Sequence, residues 1–179
     1  RVCYFDDVSK RSAANATDTF AVNGHAVMYG NTNDDNFSHY EAGADHFINL
    51  LYTFDAAGKL SGAIINVPCP SQNSEHEWKL TADYWHDVRQ AIRAQYGDIF
   101  LLPQCAAAGD LSPRILHYKQ AQDRRFRLKY GDFYAENGVE RAARKDIAER
   151  IAAAFDEVLD WAQKDIRTAV PIRHKVSTV

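Results

Sequence analysis

The feature that most limits what this chain can fold into is a strand–helix–strand succession between residues 60 and 102. Residues 60–67 (LSGAIINV) read as a strand, ended by Pro68-Cys69-Pro70-Ser71-Gln72 and a polar loop. Thr81 then reads as a helix N-cap, with Ala82 and Asp83 in the first turn. Trp85, Val88, Ala91 and Ile92 recur at helical spacing as far as Gln95, and Gly97 suits the stop. Residues 99–102 (IFLL) form the next strand, with a glycine before and a proline after. A strand, an amphipathic helix and a strand close with parallel strands and a right-handed crossover. The predicted class is therefore α/β: a mixed sheet holding one βαβ unit, with flanking helices.

The rest of the chain is placed around that unit. Residues 47–54 (FINLLYTF) precede the first strand across the short turn Asp55-Ala56-Ala57-Gly58-Lys59, which predicts an antiparallel hairpin. Residues 115–128 suit a helix rich in arginine, broken at Tyr130-Gly131-Asp132-Phe133-Tyr134. A long helix is predicted over residues 139–166, its core stripe made of Ile147, Ile151, Phe155, Val158 and Ala162. The first 45 residues are polar and poorly periodic, with short apolar stretches at Phe20-Ala21-Val22 and Ala26-Val27-Met28-Tyr29-Gly30. Residues 1–5 and 172–176 read as strands. No linker divides the chain, so residues 1–179 are expected to be part of one domain. With strand-like residues at both ends, that domain is expected to be a piece of a longer one.

Composition narrows the function. A formal net charge of −3, without a basic block, gives no case for a nucleic-acid partner. No apolar run approaches the roughly 18 residues of a spanning helix. Cys3, Cys69 and Cys105 are odd in number and widely spaced, which makes no disulfide framework.

Chemistry is expected beyond the carboxyl ends of the two parallel strands, where open α/β sheets bind ligands. The loop after residue 102 holds Cys105-Ala106-Ala107-Ala108 and then Gly109-Asp110-Leu111-Ser112-Pro113. Its small residues let backbone approach a substrate, Ser112 brings a hydroxyl, and Asp110 brings a carboxylate. Ser112-Pro113 is equally the N-cap and first-turn pair of a following helix, and from spacing alone that reading leads. Cys69 follows the other strand and is a buried small apolar group or a thiolate nucleophile or ligand. His39, Glu41, Asp45 and His46 cluster before residue 47, and His76 lies on the loop after Cys69.

Three blocks resemble the neutral/alkaline non-lysosomal ceramidases, in the middle of their N-terminal catalytic domain. Residues 104–113 (QCAAAGDLSP) are similar to that family's Gly-Asp/Asn-x-Ser-Pro-Asn stretch and its preceding glutamine. Residues 45–67 look like the strand pair that leads into one of its zinc ligands. Residues 1–5 look like the end of its Asn-Arg-Ser-Pro region. The resemblance implies hydrolysis of the amide of an N-acylated lipid, ceramide or a relative, by a zinc-activated water assisted by a serine. By position, Ser112 is that serine, Gly109 and Asp110 shape its loop, and Arg1 contacts substrate. Cys69 stands where the family has a zinc-binding histidine, and Arg114 where it has asparagine, a cation suited to a carboxylate or phosphate head group. A lipid or other small-molecule substrate, contact with a membrane surface, and an extracellular or periplasmic location belong to the same implication. So does the expectation that this piece alone, without the family's other ligands, is inactive. Two rival readings stand beside it: a metal-independent serine or cysteine hydrolase, and a non-enzymatic relative that binds lipid or glycan after losing zinc.

Overall fold

The computed structural model describes residues 1–6 and 23–178, so the apolar stretch at residues 20–22 lies outside the described residues. Two three-stranded sheets carry the chain. In the first, β1 (Val2–Phe5) is central, paired antiparallel with β2 (Gly24–Val27) on one side and β3 (Phe37–Tyr40) on the other. All four residues of β1 are buried.

The second sheet is the predicted hairpin plus the βαβ unit. β4 (Asn49–Phe54) pairs antiparallel with β5 (Leu60–Val67), and β5 pairs parallel with β6 (Phe100–Cys105). The hairpin turn is built by Asp55, whose Oδ1 accepts from the Ala57 and Lys59 amides at 2.9 Å each, while Gly58 takes a φ of 77°. That backbone conformation is open to glycine at little cost. Gly62 is needed for a different reason. A Cβ there would sit 2.7 Å from the carbonyl oxygen of Phe100 on the neighbouring strand.

The crossover helix α1 (Tyr84–Tyr96) begins later than the spacing implies. Its cap is Asp83, not Thr81: the Asp83 carboxylate accepts from the Tyr84 amide at 2.8 Å and from the Ser74 amide at 2.7 Å. Thr81 instead accepts from the Asp83 amide at 3.0 Å and braces the cap. The carboxylate wins because it satisfies two amides at once, one of them in the loop after β5.

α2 (Lys119–Tyr130) and α3 (Asp132–Ala162) form a hairpin on the same side. The predicted break narrows to Gly131, and a second discontinuity falls at Gly138 (φ 78°), one residue before the expected start. α3 ends at Ala162, short of the expected residue 166. Its deepest stripe is Ala148, Ile151, Phe155 and Leu159, displaced slightly from the predicted line, with Val158 only half-buried. These residues pack with Val88 and Ile92 of α1 against Ala63, Ile65, Val67 and Leu101 of the sheet. Residues 172–176 form no strand: Ile172 and Val176 are exposed, with no neighbouring strand to pair with among the described residues.

Candidate functional site

The carboxyl ends of β5 and β6 open into a cleft of about 660 Å³. Its position follows from the parallel pairing, in which Val67 lies opposite Cys105. The ladder runs one bond further, the Ala106 amide donating to the Val67 carbonyl at 3.0 Å. The chain then turns tightly, with the Leu111 amide donating to the Ala108 carbonyl at 3.1 Å, which puts Gly109 and Asp110 at the tip. Both line the cleft, as does Ser112. A Cβ on Gly109 would meet nothing within 4 Å, so the space beside it is open to a ligand.

Ser112 does not cap a helix. Its Oγ accepts from the Arg114 amide at 3.2 Å, a local turn, and α2 begins only at Lys119. Residues 113–118 run without regular structure, fastened where Thr32 donates to the Leu116 carbonyl at 3.0 Å. A Ser/Thr hydroxyl that bonds its own backbone two residues on favours turns over helix interiors. The bond occupies one lone pair of Oγ and leaves its proton free to donate.

The opposite wall comes from the antiparallel sheet and the loop after it: Arg1, Met28, Tyr29, Tyr40, Ala42 and Ala44. Arg1, Gly109, Asp110, Ser112 and Arg114 therefore line one cleft, although Arg1 and Ser112 stand more than a hundred positions apart. Both cations are already partnered. Arg1 Nε pairs with Glu41 at 2.7 Å. Arg114 pairs with Glu75 at 3.0 Å, its guanidinium 5.6 Å from the centre of the Tyr29 ring. Asp110 is exposed, with no hydrogen bond or ion pair among the described residues.

Cys69 lies beside the cleft, whose wall here is its neighbours Pro70 and Gln72 together with Cys105. Its thiol points to the Pro70 carbonyl at 3.8 Å, and Tyr84 donates to its own carbonyl at 2.5 Å. Burial pushes the thiol up to about 11, so it keeps its proton near neutrality. A catalytic zinc takes about three protein ligands. Among the described residues no group of three His, Cys, Asp or Glu is arranged to hold a metal ion. His39 meets Ser38 at 2.8 Å, Glu41 pairs with Arg1, and Asp45 accepts from the Phe47 amide at 2.9 Å. His76 turns to Glu140 at 2.6 Å rather than to the cleft. The described residues therefore do not fit a zinc centre by themselves, and a centre with Cys69 as ligand needs further donors from outside them.

One group that sequence reasoning missed is His117, which lines the cleft with Ser112. Its ring stacks edge-on against Tyr118 at 4.1 Å and lies 6.1 Å from Phe37. Neither ring nitrogen has a hydrogen-bond partner among the described residues. The available signal is its place five residues beyond Ser112, which a helical pattern over residues 115–128 obscures. Comparison with protein-family models, with curated proteins and with solved structures gave no match for this chain.

Proposed function

We propose that this cleft hydrolyses the amide bond of an N-acylated lipid, as the resemblance to neutral ceramidases implies. The observation that supports it most is the convergence of Arg1, Gly109, Asp110, Ser112 and Arg114 on one cleft. Met28, Tyr29, Tyr40 and Leu111 give the same cleft apolar surface for an acyl chain. The reaction is RCO–NHR′ + H₂O → RCOO⁻ + R′NH₃⁺. In this reading Ser112 donates its free proton to the carbonyl oxygen as it becomes an oxyanion, a stabilisation of the kind that carries much of acyl-transfer catalysis. His117 takes a proton from the attacking water and passes it to the leaving amine. The described donors do not assemble a zinc site. Asp110 and the two arginines position substrate polar groups.

A second reading has Ser112 attack the carbonyl itself and form an acyl-enzyme, which water then cleaves. His117, a base in the same cleft, favours it. The test is fatty-acid release from a panel of N-acyl amides by the purified full-length protein, with and without added zinc. Ser112→Ala is expected to lower the rate by on the order of 10²-fold. A hydroxamate trapped by hydroxylamine identifies the acyl-enzyme route, and its absence the direct attack of water. Release that Ser112→Ala leaves unchanged would overturn both.

A further inference from the structure

Two of the three cysteines come together where β5 and β6 end. Val67 and Cys105 are register partners in the parallel pair, so their backbones run about 4.8 Å apart. The Val67 carbonyl points at β6, since the Ala106 amide donates to it at 3.0 Å. The Cys69 amide donates to the same oxygen at 2.8 Å. One carbonyl thus gathers both strand ends: the chain leaving β5 curls toward β6 and brings Cys69 beside Cys105.

The surroundings of the two thiols agree with that. Tyr84 donates to the Cys69 carbonyl at 2.5 Å, and charge on Cys105 is felt by both the Cys69 thiol and the Tyr84 hydroxyl, helping to push each up. The Cys69 thiol has a long 3.8 Å contact to the Pro70 carbonyl, which a turn of its side chain gives up at little cost. Cys105 is exposed and open to a soluble reagent. Cys3 does not compete, because it is 1% exposed in β1 of the other sheet, opposite Ala26 and His39.

From this arrangement we infer that Cys69 and Cys105 form a disulfide site, joined by exchange with glutathione disulfide. A disulfide needs Cα atoms within about 7 Å, a spacing that neighbouring strand ends supply. The Cys105 thiolate attacks one sulfur of glutathione disulfide, a Cys105–glutathione bond forms, and one glutathione thiolate leaves. Cys69 then gives its proton to solvent and attacks the Cys105 sulfur, and the second glutathione leaves. The two protein thiols are oxidised and one glutathione disulfide is reduced to two thiols. The second step is the slow one, because burial pushes the Cys69 thiol up to about 11. The bond closes the loop over residues 69–105 and so fastens α1 between the two strands. It lies at the wall of the first cleft, which Cys105 itself lines. The assignment does not rest on the proposed amidase function.

The experiment uses the full-length protein, reduced, freed of reductant and incubated with glutathione disulfide. Samples are alkylated in a time course and digested without reduction for mass spectrometry. A linked pair of peptides carrying Cys69 and Cys105 is expected, preceded by a glutathione adduct on Cys105. Conversion of adduct to link rises about tenfold for each pH unit between pH 7 and 9. Cys69→Ser stops at the adduct, and Cys3→Ser forms the link as the wild type does. The linked protein melts about 5–10 °C above the reduced one. An adduct on wild-type Cys105 that never resolves, or Cys105 linked to a cysteine other than Cys69, would overturn the assignment. A Cys69–Cys105 link that leaves the melting temperature unchanged would overturn the fastening of α1.

Discussion

Replacing Asp146 with asparagine removes the charge that ties α2 to α3. Asp146 is 4% exposed, yet it receives Arg125 at 2.5 and 3.1 Å, Lys129 at 2.8 Å and Arg150 at 3.0 Å. Burial works to raise its carboxyl, but the hydrogen bonds from Arg125 and Lys129, with the charge of Arg150, bring it down to about 2 from an ordinary 3.8. At about 1.4 kcal/mol for each tenfold change in proton affinity, that depression is worth about 2.5 kcal/mol. The cations reach in from half-exposed positions and are partly screened, so about 2 kcal/mol is the expected loss at pH 7. In a domain of this size that lowers the midpoint of thermal unfolding by about 4–8 °C. The sign is fixed by linkage: the folded carboxyl is the stronger acid, so its stabilisation is full above the unfolded value. It is about half lost near pH 3 and disappears below about pH 2. Circular dichroism melts of wild type and Asp146→Asn at pH 7 and pH 3 measure both quantities. A difference that stays constant between those pH values, or no difference at pH 7, would mean that the Asp146 charge does not stabilise the fold.

Three further outcomes follow from the same structure. Gly62→Ala drives a methyl against the Phe100 carbonyl and should cost about 1–3 kcal/mol in urea unfolding, with β5–β6 pairing as the part lost. Gly109→Ala meets open space and should leave stability within about 0.5 kcal/mol, while turnover in the cleft falls because the methyl enters the ligand's path. Iodoacetamide at pH 7.5 should label the exposed Cys105 well before Cys69, whose thiol is pushed up to about 11, as read by peptide mass spectrometry. Labelling of Cys69 first would mean that its burial is misjudged.

How much of this was legible in the sequence depended on whether a feature is local. The hairpin and the βαβ unit were, because strand, turn and helix signals recur at fixed short spacings and the sheet follows from them. The helix cap lies two residues beyond Thr81 because Asp83 is held by Ser74, nine positions away, which no local pattern shows. Ser112-Pro113 suits a helix cap, yet the hydroxyl accepts from the Arg114 amide and the helix waits until Lys119. Residues 172–176 read as a strand but have no strand to pair with among the described residues. Of the site, the loop carrying Gly109, Asp110 and Ser112 was legible, since it follows from where β6 ends. The wall opposite was not. Tyr29 and Tyr40 come from the polar first 45 residues, which carry no periodicity, and β1 brings them to the cleft through pairings remote in sequence.

The proposed hydrolysis needs Ser112 and His117 to act together on an acyl amide in the cleft beyond β5 and β6. Fatty-acid release from an N-acyl amide in H₂¹⁸O is measured for the full-length wild type, Ser112→Ala and His117→Ala proteins, each with an unchanged melting temperature. The released carboxylate is expected to carry ¹⁸O, and each variant to lose activity by on the order of 10²-fold. Release at the wild-type rate in both variants, or none from the wild type with or without zinc, would contradict the proposed hydrolysis.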